Sequence, residues 1–301
     1  MLVIIGDKYY FNNYDRSILN NKFKRVVFLP YHKNDAQEAV YSLDSLKDSN
    51  KLDLVVLNID EEINRFLQNY LDKNSSIKYM KIDRFLEEYL DKYYISTKAE
   101  DIDSIKPFSK WQYFQKRVID IIGVIVLSII TAPIVIYSIY RIKKESPGPI
   151  IFKQTRVGLN NKKFTCYKFR TMHENSYHNP YTKEEDDRIF PWGKFMRKTR
   201  IDELPQLWNI LKGDMHLIGP RPEWDILVEK YKDTIPYYSK RHLIKTGITG
   251  WAQVNYPYGV NEYDAYVKLM YDLYYEKNWS IWLELKTIFR TISVVLSRKG
   301  L

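Results

Sequence analysis

Residues 116–144 read KRVIDIIGVIVLSIITAPIVIYSIYRIKK, and no charge interrupts the run from 121 to 140. At about 1.5 Å per residue, a helix of that length reaches about 30 Å, one hydrocarbon thickness. A buried core helix is the ordinary alternative. In a chain that is 28% charged, an uncharged run this long points instead to membrane contact. Cations lie on both sides of it: Lys110, Lys116 and Arg117 before, Arg141, Lys143 and Lys144 after. The positive-inside rule then places both flanks on the cytoplasmic face. Pro133, near the middle, removes one helical hydrogen bond and favours a kink. A re-entrant helix that enters, turns at Pro133 and returns satisfies both facts. A spanning helix with a tolerated proline is the other reading.

Outward from this helix, the two sides differ. Residues 1–100 hold 15 Lys+Arg against 16 Asp+Glu, whereas residues 101–301 hold 32 against 21. The positive field therefore belongs to the second part and favours anionic partners. On the N-terminal side, LVIIG, RVVFL and DLVVLNI are short β-branched runs suited to buried parallel strands, and SIKYMKI adds another strand. NDAQEAVYSLDSLK, EEINRFLQNYLDK and DRFLEEYLDKYY have helical spacing, with acids in their first turns. Residues 1–95 thus read as a small parallel α/β domain. Only Gly6 follows the first strand, so no dinucleotide fingerprint is present. Residues 96–110 read as a linker, 111–145 as the membrane helix and 146–301 as a mixed α+β domain.

Other totals narrow the class. Cys166 is the single cysteine, which excludes an internal disulfide and fits a reducing compartment. The five histidines show no zinc spacing. MLVIIGDKYY lacks the basic start and long apolar run of a signal peptide. No recognisable nucleic-acid motif accompanies the positive charge, so no nucleic-acid partner is expected. At the far end, Trp282, Leu285, Ile288, Phe289 and Ile292 follow helical spacing, with Lys286, Arg290, Arg298 and Lys299 supplying charge. That suits an amphipathic helix in the headgroup plane, or one packed on its own domain.

Residues 199–223 read TRIDELPQLWNILKGDMHLIGPRPE. Asp202 and Glu203 are adjacent, Arg197, Lys198 and Arg200 precede them, and Arg221 follows between Pro220 and Pro222. Acids ahead of Pro205 are an ordinary helix start, and caps are the bland reading of both. Neighbouring residues on a helix do not share a face, so the two carboxylates can also serve different tasks. Phosphate transfer needs both. An ionised Asp can attack phosphorus to give an acyl phosphate. Carboxylate and diphosphate repel by about 4 kcal/mol per unit-charge pair at 4 Å and an effective dielectric of about 20. Arginines and a divalent cation offset that repulsion. Mg²⁺ suits because it combines a few carboxylates with phosphate oxygens and water.

Several long segments carry a resemblance. KRVIDIIGVIVL with AP, SPGPIIFKQTRVG, YKFRTM, TRIDELPQLWNILKGDMHLIGPRPE, GITGWAQVN and YDLYYEKNWSIWLELKTI occur in consistent order over about residues 111–295. The chain resembles the bacterial sugar transferases, the monotopic phosphoglycosyl transferases. The resemblance implies transfer of a sugar phosphate from a nucleotide diphosphate sugar, by family habit a UDP-sugar, to polyprenyl (undecaprenyl) phosphate. It implies Asp202 as nucleophile, Glu203 on Mg²⁺, Arg221 of Pro220-Arg221-Pro222 on the nucleotide part of the donor, Arg197 on phosphate and Asp272 as a further acid near the metal. It also implies a re-entrant helix broken near Pro133, a monotopic protein on the cytoplasmic face of the membrane, and a start to lipid-linked glycan synthesis. The break here is Ala132-Pro133, where the family usually has Ser-Pro, and NYPYG after Val254 resembles a subgroup tied to exopolysaccharide assembly. For residues 1–95, docking of glycan-assembly proteins is one expected role.

Overall fold

A computed structural model describes residues 1–32, 36–49, 52–59, 63–95, 102–174, 186–257, 259 and 261–296. The chain divides into two compact units, Met1–Tyr94 and Ile95–Leu301. The first-turn acids expected at Asp35, Glu61 and Glu62, residue Tyr258, and the terminal cations Arg298 and Lys299 lie outside the described residues.

In the first unit, β1 (Leu2–Ile5), β2 (Val26–Leu29), β3 (Leu54–Leu57) and β4 (Tyr79–Lys81) form a parallel sheet in the order β2-β1-β3-β4. Every residue of β1 and β3 is buried, as a strand covered on both faces requires. The connecting helices are α1 (Asn13–Lys22), α2 (Ala36–Ser49), α3 (Arg65–Lys73) and α4 (Ile82–Leu90). The sequence reading gives no helix over α1, because NYDRSILNNK is mostly polar. It is held by a side-chain cap, Asn12, which accepts from the Asp15 amide, and by burial of Asp15 and Leu19. Asp15 is paired inside with Lys92 at 2.6 Å and with the Tyr9 hydroxyl at 2.7 Å.

The second unit starts earlier than a 96–110 linker implies. Ile102, Ile105 and Phe108 are buried, and Phe108 joins the main core of this unit. Helix α5 (Lys110–Glu145) follows, opened by a reciprocal capping box between Ser109 and Gln112. It runs 36 residues, about 54 Å, and is helical through Pro133. Its apolar stretch is long enough to cross a membrane, and little of it is buried. A core helix would be mostly buried, so α5 is not one. Ile125, Ile129, Ile130 and Ile136 are exposed along its middle.

Both ends of α5 pack on the same unit. Near its start, Lys116 Nζ donates to the Ile218 carbonyl, the Tyr275 hydroxyl and Glu284 Oε1 at 2.7–2.8 Å. One turn on, the Asp120 carboxylate accepts from the Leu217 amide at 2.7 Å and lies 2.6 Å from His216 Nδ1. Arg117 donates to the Ile210 and Leu211 carbonyls near the end of a later helix. Near the C-terminal end of α5, Ile142 packs with Phe169, Phe190 and Met196. Lys116 and Arg117, read from sequence as flanking charges, are therefore engaged by the folded unit, and Lys116 is fully buried.

After α5, β5 (Ile151–Val157) and β6 (Lys163–Phe169) form an antiparallel hairpin. Helices α6 (Pro191–Thr199) and α7 (Gln206–Lys212) lead to β7 (His216–Ile218), and α8 (Asp225–Thr234) follows. Strand β8 (Gly247–Thr249) pairs in parallel with β7. The short α9 (Trp251–Asn255) precedes α10 (Glu262–Lys277) and α11 (Ile281–Leu296). Trp251, Tyr271 and Tyr275 join Ile210, Ile218 and Val124 of α5 in the main core. Helix α11 divides its faces: Leu283, Glu284 and Thr287 are buried, while Trp282, Leu285, Phe289 and Ile292 are exposed. It is packed on its own domain through Leu283, Glu284 and Thr287 and keeps an apolar stripe outward.

Candidate active site

The turn between α6 and α7 sets the site. Arg200 ends α6 in the left-handed region at φ 61°, an uncommon conformation for a side chain larger than glycine. The chain then makes a 3₁₀ turn, Ile201–Glu203, before Pro205 caps α7. The two acids thus precede the helix that the sequence reading starts at Asp202. Neither Arg200 at the 3₁₀ turn nor Pro205 at the start of α7 makes a side-chain capping bond.

The two carboxylates are treated in opposite ways. Glu203 Oε1 accepts from Lys168 Nζ and Arg221 Nη2, each at 2.8 Å, and Arg200 Nη1 lies 3.7 Å away. Burial pushes Glu203 up, but Arg221, Lys168 and Arg200 outweigh it and hold the carboxyl well below its ordinary range. Asp202 is also buried, yet its Oδ1 has no hydrogen-bond partner. Burial and the neighbouring Glu203 charge raise its affinity for a proton, against the pull of Lys168, Arg197 and Arg200. One acid is an anchored anion. The other carries a buried oxygen that accepts no hydrogen bond from the described residues.

The surrounding cations are held by backbone geometry. Lys168 lies on β6, and the same hairpin supplies Arg156, which donates to the Pro222 carbonyl at 3.1 Å. Arg197, near the end of α6, donates from Nε to Thr171 Oγ1 at 2.8 Å. Arg221 follows β7 directly. The amide of Gly219 bonds to the Thr249 carbonyl, and the Pro220 carbonyl accepts from Gly247, fixing the turn to β8. Gly219 is required by close approach, since a Cβ there would lie 2.5 Å from the Lys245 carbonyl oxygen. Pro220 and Pro222 restrict φ on either side of Arg221. Five cations, Arg156, Lys168, Arg197, Arg200 and Arg221, thus gather around Asp202, Glu203 and Glu223. The excess of positive charge suits a polyanion.

A profile of the bacterial sugar transferases matches residues 111–298. The chain belongs to the bacterial sugar transferase family. Among its relatives are a UDP-N-acetylgalactosamine-undecaprenyl-phosphate N-acetylgalactosaminephosphotransferase of Aeromonas hydrophila, 43% identical over 62% of this chain and 45% of that protein. An undecaprenyl-phosphate galactose phosphotransferase of Salmonella typhimurium is 40% identical over 62% of this chain and 41% of its own length. A UDP-glucose:undecaprenyl-phosphate glucose-1-phosphate transferase of Caulobacter vibrioides is 39% identical over 61% of this chain and 70% of its own. The chain thus spans less than half the length of the first two.

Of the residues that the family resemblance singles out, the sugar transferase unit brings Asp202, Glu203, Arg197, Pro220, Arg221 and Pro222 together, as described. Asp272 sits one step further out. It is buried on α10, and its Oδ2 accepts from Arg241 Nε at 3.0 Å and lies 2.7 Å from Arg241 Nη2. Arg241 in turn donates to the Arg221 carbonyl at 3.1 Å and to the Tyr238 hydroxyl at 2.7 Å. Burial raises Asp272 to about 6, against the pull of Arg241, so it is ionised at neutral pH and the pair stands. Here Asp272 secures an arginine that steadies the Arg221 turn. Arg241 is absent from the sequence reading, because a lone arginine in YSKRHLIK offers no motif.

Among the described residues, no group of three or more His, Cys, Asp or Glu side chains forms a metal cage. Mg²⁺ does not require one, since it takes one or two carboxylates and completes its shell with phosphate and water. The Asp202-Glu203 pair, with one oxygen unpartnered, fits that partial donor set. Asp272 is engaged through Oδ2 by Arg241.

Proposed function

We propose that the chain transfers a sugar phosphate from a nucleotide diphosphate sugar, by its relatives' names a UDP-sugar, to undecaprenyl phosphate, and so begins lipid-linked glycan synthesis. The observation that carries this reading is the unequal pair: Glu203 under three cations and Asp202 with a buried, unpartnered oxygen among bases. The donor diphosphate lies against Arg221, Arg197, Lys168 and Arg200, which neutralise its charge. Asp202 Oδ1 attacks the phosphorus that bears the sugar. A P–O bond forms to the aspartate, the bond to the bridging oxygen breaks, and the nucleoside monophosphate leaves with that electron pair. A phosphate oxygen of the lipid then attacks the same phosphorus, breaking the acyl phosphate and restoring the Asp202 carboxylate. Glu203 would hold Mg²⁺, which supplies charge neutralisation on the diphosphate when bound.

The lipid acceptor requires a membrane-facing enzyme. Helix α5 is exposed and apolar in its middle, with both ends anchored in one folded unit. A spanning helix would place its ends on opposite faces of the bilayer, so this anchoring supports a monotopic, re-entrant placement on the cytoplasmic face, with Pro133 as the bending point. The NYPYG form supports a place in exopolysaccharide assembly. Residues 1–95 would dock glycan-assembly proteins.

Intact mass of the full chain, incubated with Mg²⁺ and a panel of UDP-sugars without acceptor, tests the reaction. A gain of one sugar phosphate with nucleotide release is expected. Folded protein that neither gains mass nor releases nucleotide with any donor would refute it. The pH dependence of that gain tests the electrostatics. Asp202 must be ionised to attack, so adduct formation fails as pH falls through its pKa. Arg197 pulls that pKa down, hence Arg197→Gln is expected to move the acid limb to higher pH. A limb that stays in place would remove Arg197 from the field at Asp202.

A further inference from the structure

A cleft of about 650 Å³ lies at the C-terminal end of α5, lined by Tyr137, Tyr140, Arg141, Lys144, Glu145 and Pro191. Its chemistry is distinct from that of the Asp202 site. Arg141 lies 4.9 Å from the Trp192 ring and 5.8 Å from that of Tyr137, and it bonds to Glu145 and to the Tyr137 hydroxyl. Glu145 also accepts from the Trp192 amide at 2.7 Å, in the first turn of α6, so the carboxylate is used twice. Lys144 lies 5.9 Å from the Tyr140 ring and, among the described residues, has no carboxylate partner. The cleft therefore carries one uncompensated positive charge beside a guanidinium already held in place.

We propose that this cleft binds the phosphodiester headgroup of an anionic glycerophospholipid. The charge count selects a monoanion over the more highly charged monoester of the acceptor lipid. The setting selects a lipid over a soluble phosphate. The cleft adjoins the exposed apolar face of α5 at Ile136, 69% exposed, along which acyl chains would run. Tyr137, Tyr140 and Trp192 supply the amphipathic rings found at headgroup level, with Lys144 reaching outward. The site would fix the depth of the C-terminal end of α5 and, through Glu145, the start of α6, which carries Arg197. The inference rests on the membrane placement of α5 and not on the transfer chemistry.

The test uses the full chain in phosphatidylcholine nanodiscs doped with phosphatidylglycerol, with bound lipid counted by native mass spectrometry after release. One phosphatidylglycerol retained in preference to phosphatidylcholine is expected. Lys144→Gln should weaken that preference about fivefold, and Lys144→Arg should keep it. Asp202→Asn should retain the lipid like wild type, which separates this site from the catalytic reading. Equal retention of both lipids by the wild type, or no change in Lys144→Gln, would overturn the proposal. Displacement of phosphatidylglycerol by equimolar polyprenyl phosphate would assign the cleft to the acceptor instead, and displacement by inorganic phosphate would remove the lipid from the account.

Discussion

Replacing Asp202 with asparagine is expected to lower sugar-phosphate transfer by roughly four orders of magnitude or more, the scale of removing a covalent nucleophile. The sugar-phosphate mass gain should vanish with it. The fold should survive. Asp202 Oδ1 has no hydrogen-bond partner, so the amide replaces no bond at that atom. The stability sign follows from the raised pKa. Folding favours the protonated acid, so ionisation costs stability once pH rises past the ordinary carboxylate range. At neutral pH a neutral asparagine removes that cost, and thermal unfolding should be unchanged or slightly higher. Glu203→Gln should behave differently, since it leaves Lys168 and Arg221 facing a neutral amide in place of their anion. Normal transfer by Asp202→Asn would exclude the covalent mechanism. Loss of transfer together with a clear drop in unfolding temperature would return Asp202 to a structural role.

Much of this arrangement was legible in the chain, for reasons that differ by element. The uncharged run of α5 needs only length and composition, and β1–β3 need only β-branched runs bounded by polar residues. Helix α1 escapes because tertiary burial of two residues and a cap, not periodicity, hold it. The acid pair is visible, but its division of labour is not. That depends on Lys168, 35 residues before Glu203, and on Arg221, 18 residues after it. Lys116 is the sharpest case. In sequence it reads as one more basic flank of a membrane segment. In the fold it is buried against Glu284, 168 residues away, and only long-range packing tells the two apart.

Lys116→Met is accordingly expected to cost about 3–5 kcal/mol, the scale of breaking a buried ion pair by removing one partner. Glu284 would keep the Tyr275 hydroxyl and the Trp279 indole N–H, two neutral donors, but lose its only paired cation among the described residues. Denaturant unfolding in detergent measures the loss. Removing both charges, Lys116→Met with Glu284→Leu, should recover part of it, because no unpaired anion is then left inside. Activity should fall further than unfolding alone predicts. Lys116 holds the Ile218 carbonyl, and Ile218 is followed by Gly219, Pro220 and Arg221. If α5 loosens there, the turn that aims Arg221 at Glu203 loosens with it. At temperatures where Lys116→Met is fully folded, its adduct formation should still be slower than wild type, and the double variant should restore stability more than rate. Wild-type stability in Lys116→Met would mean that the buried pair does not hold the helix. Wild-type rate in folded protein would mean that the helix does not position the arginine.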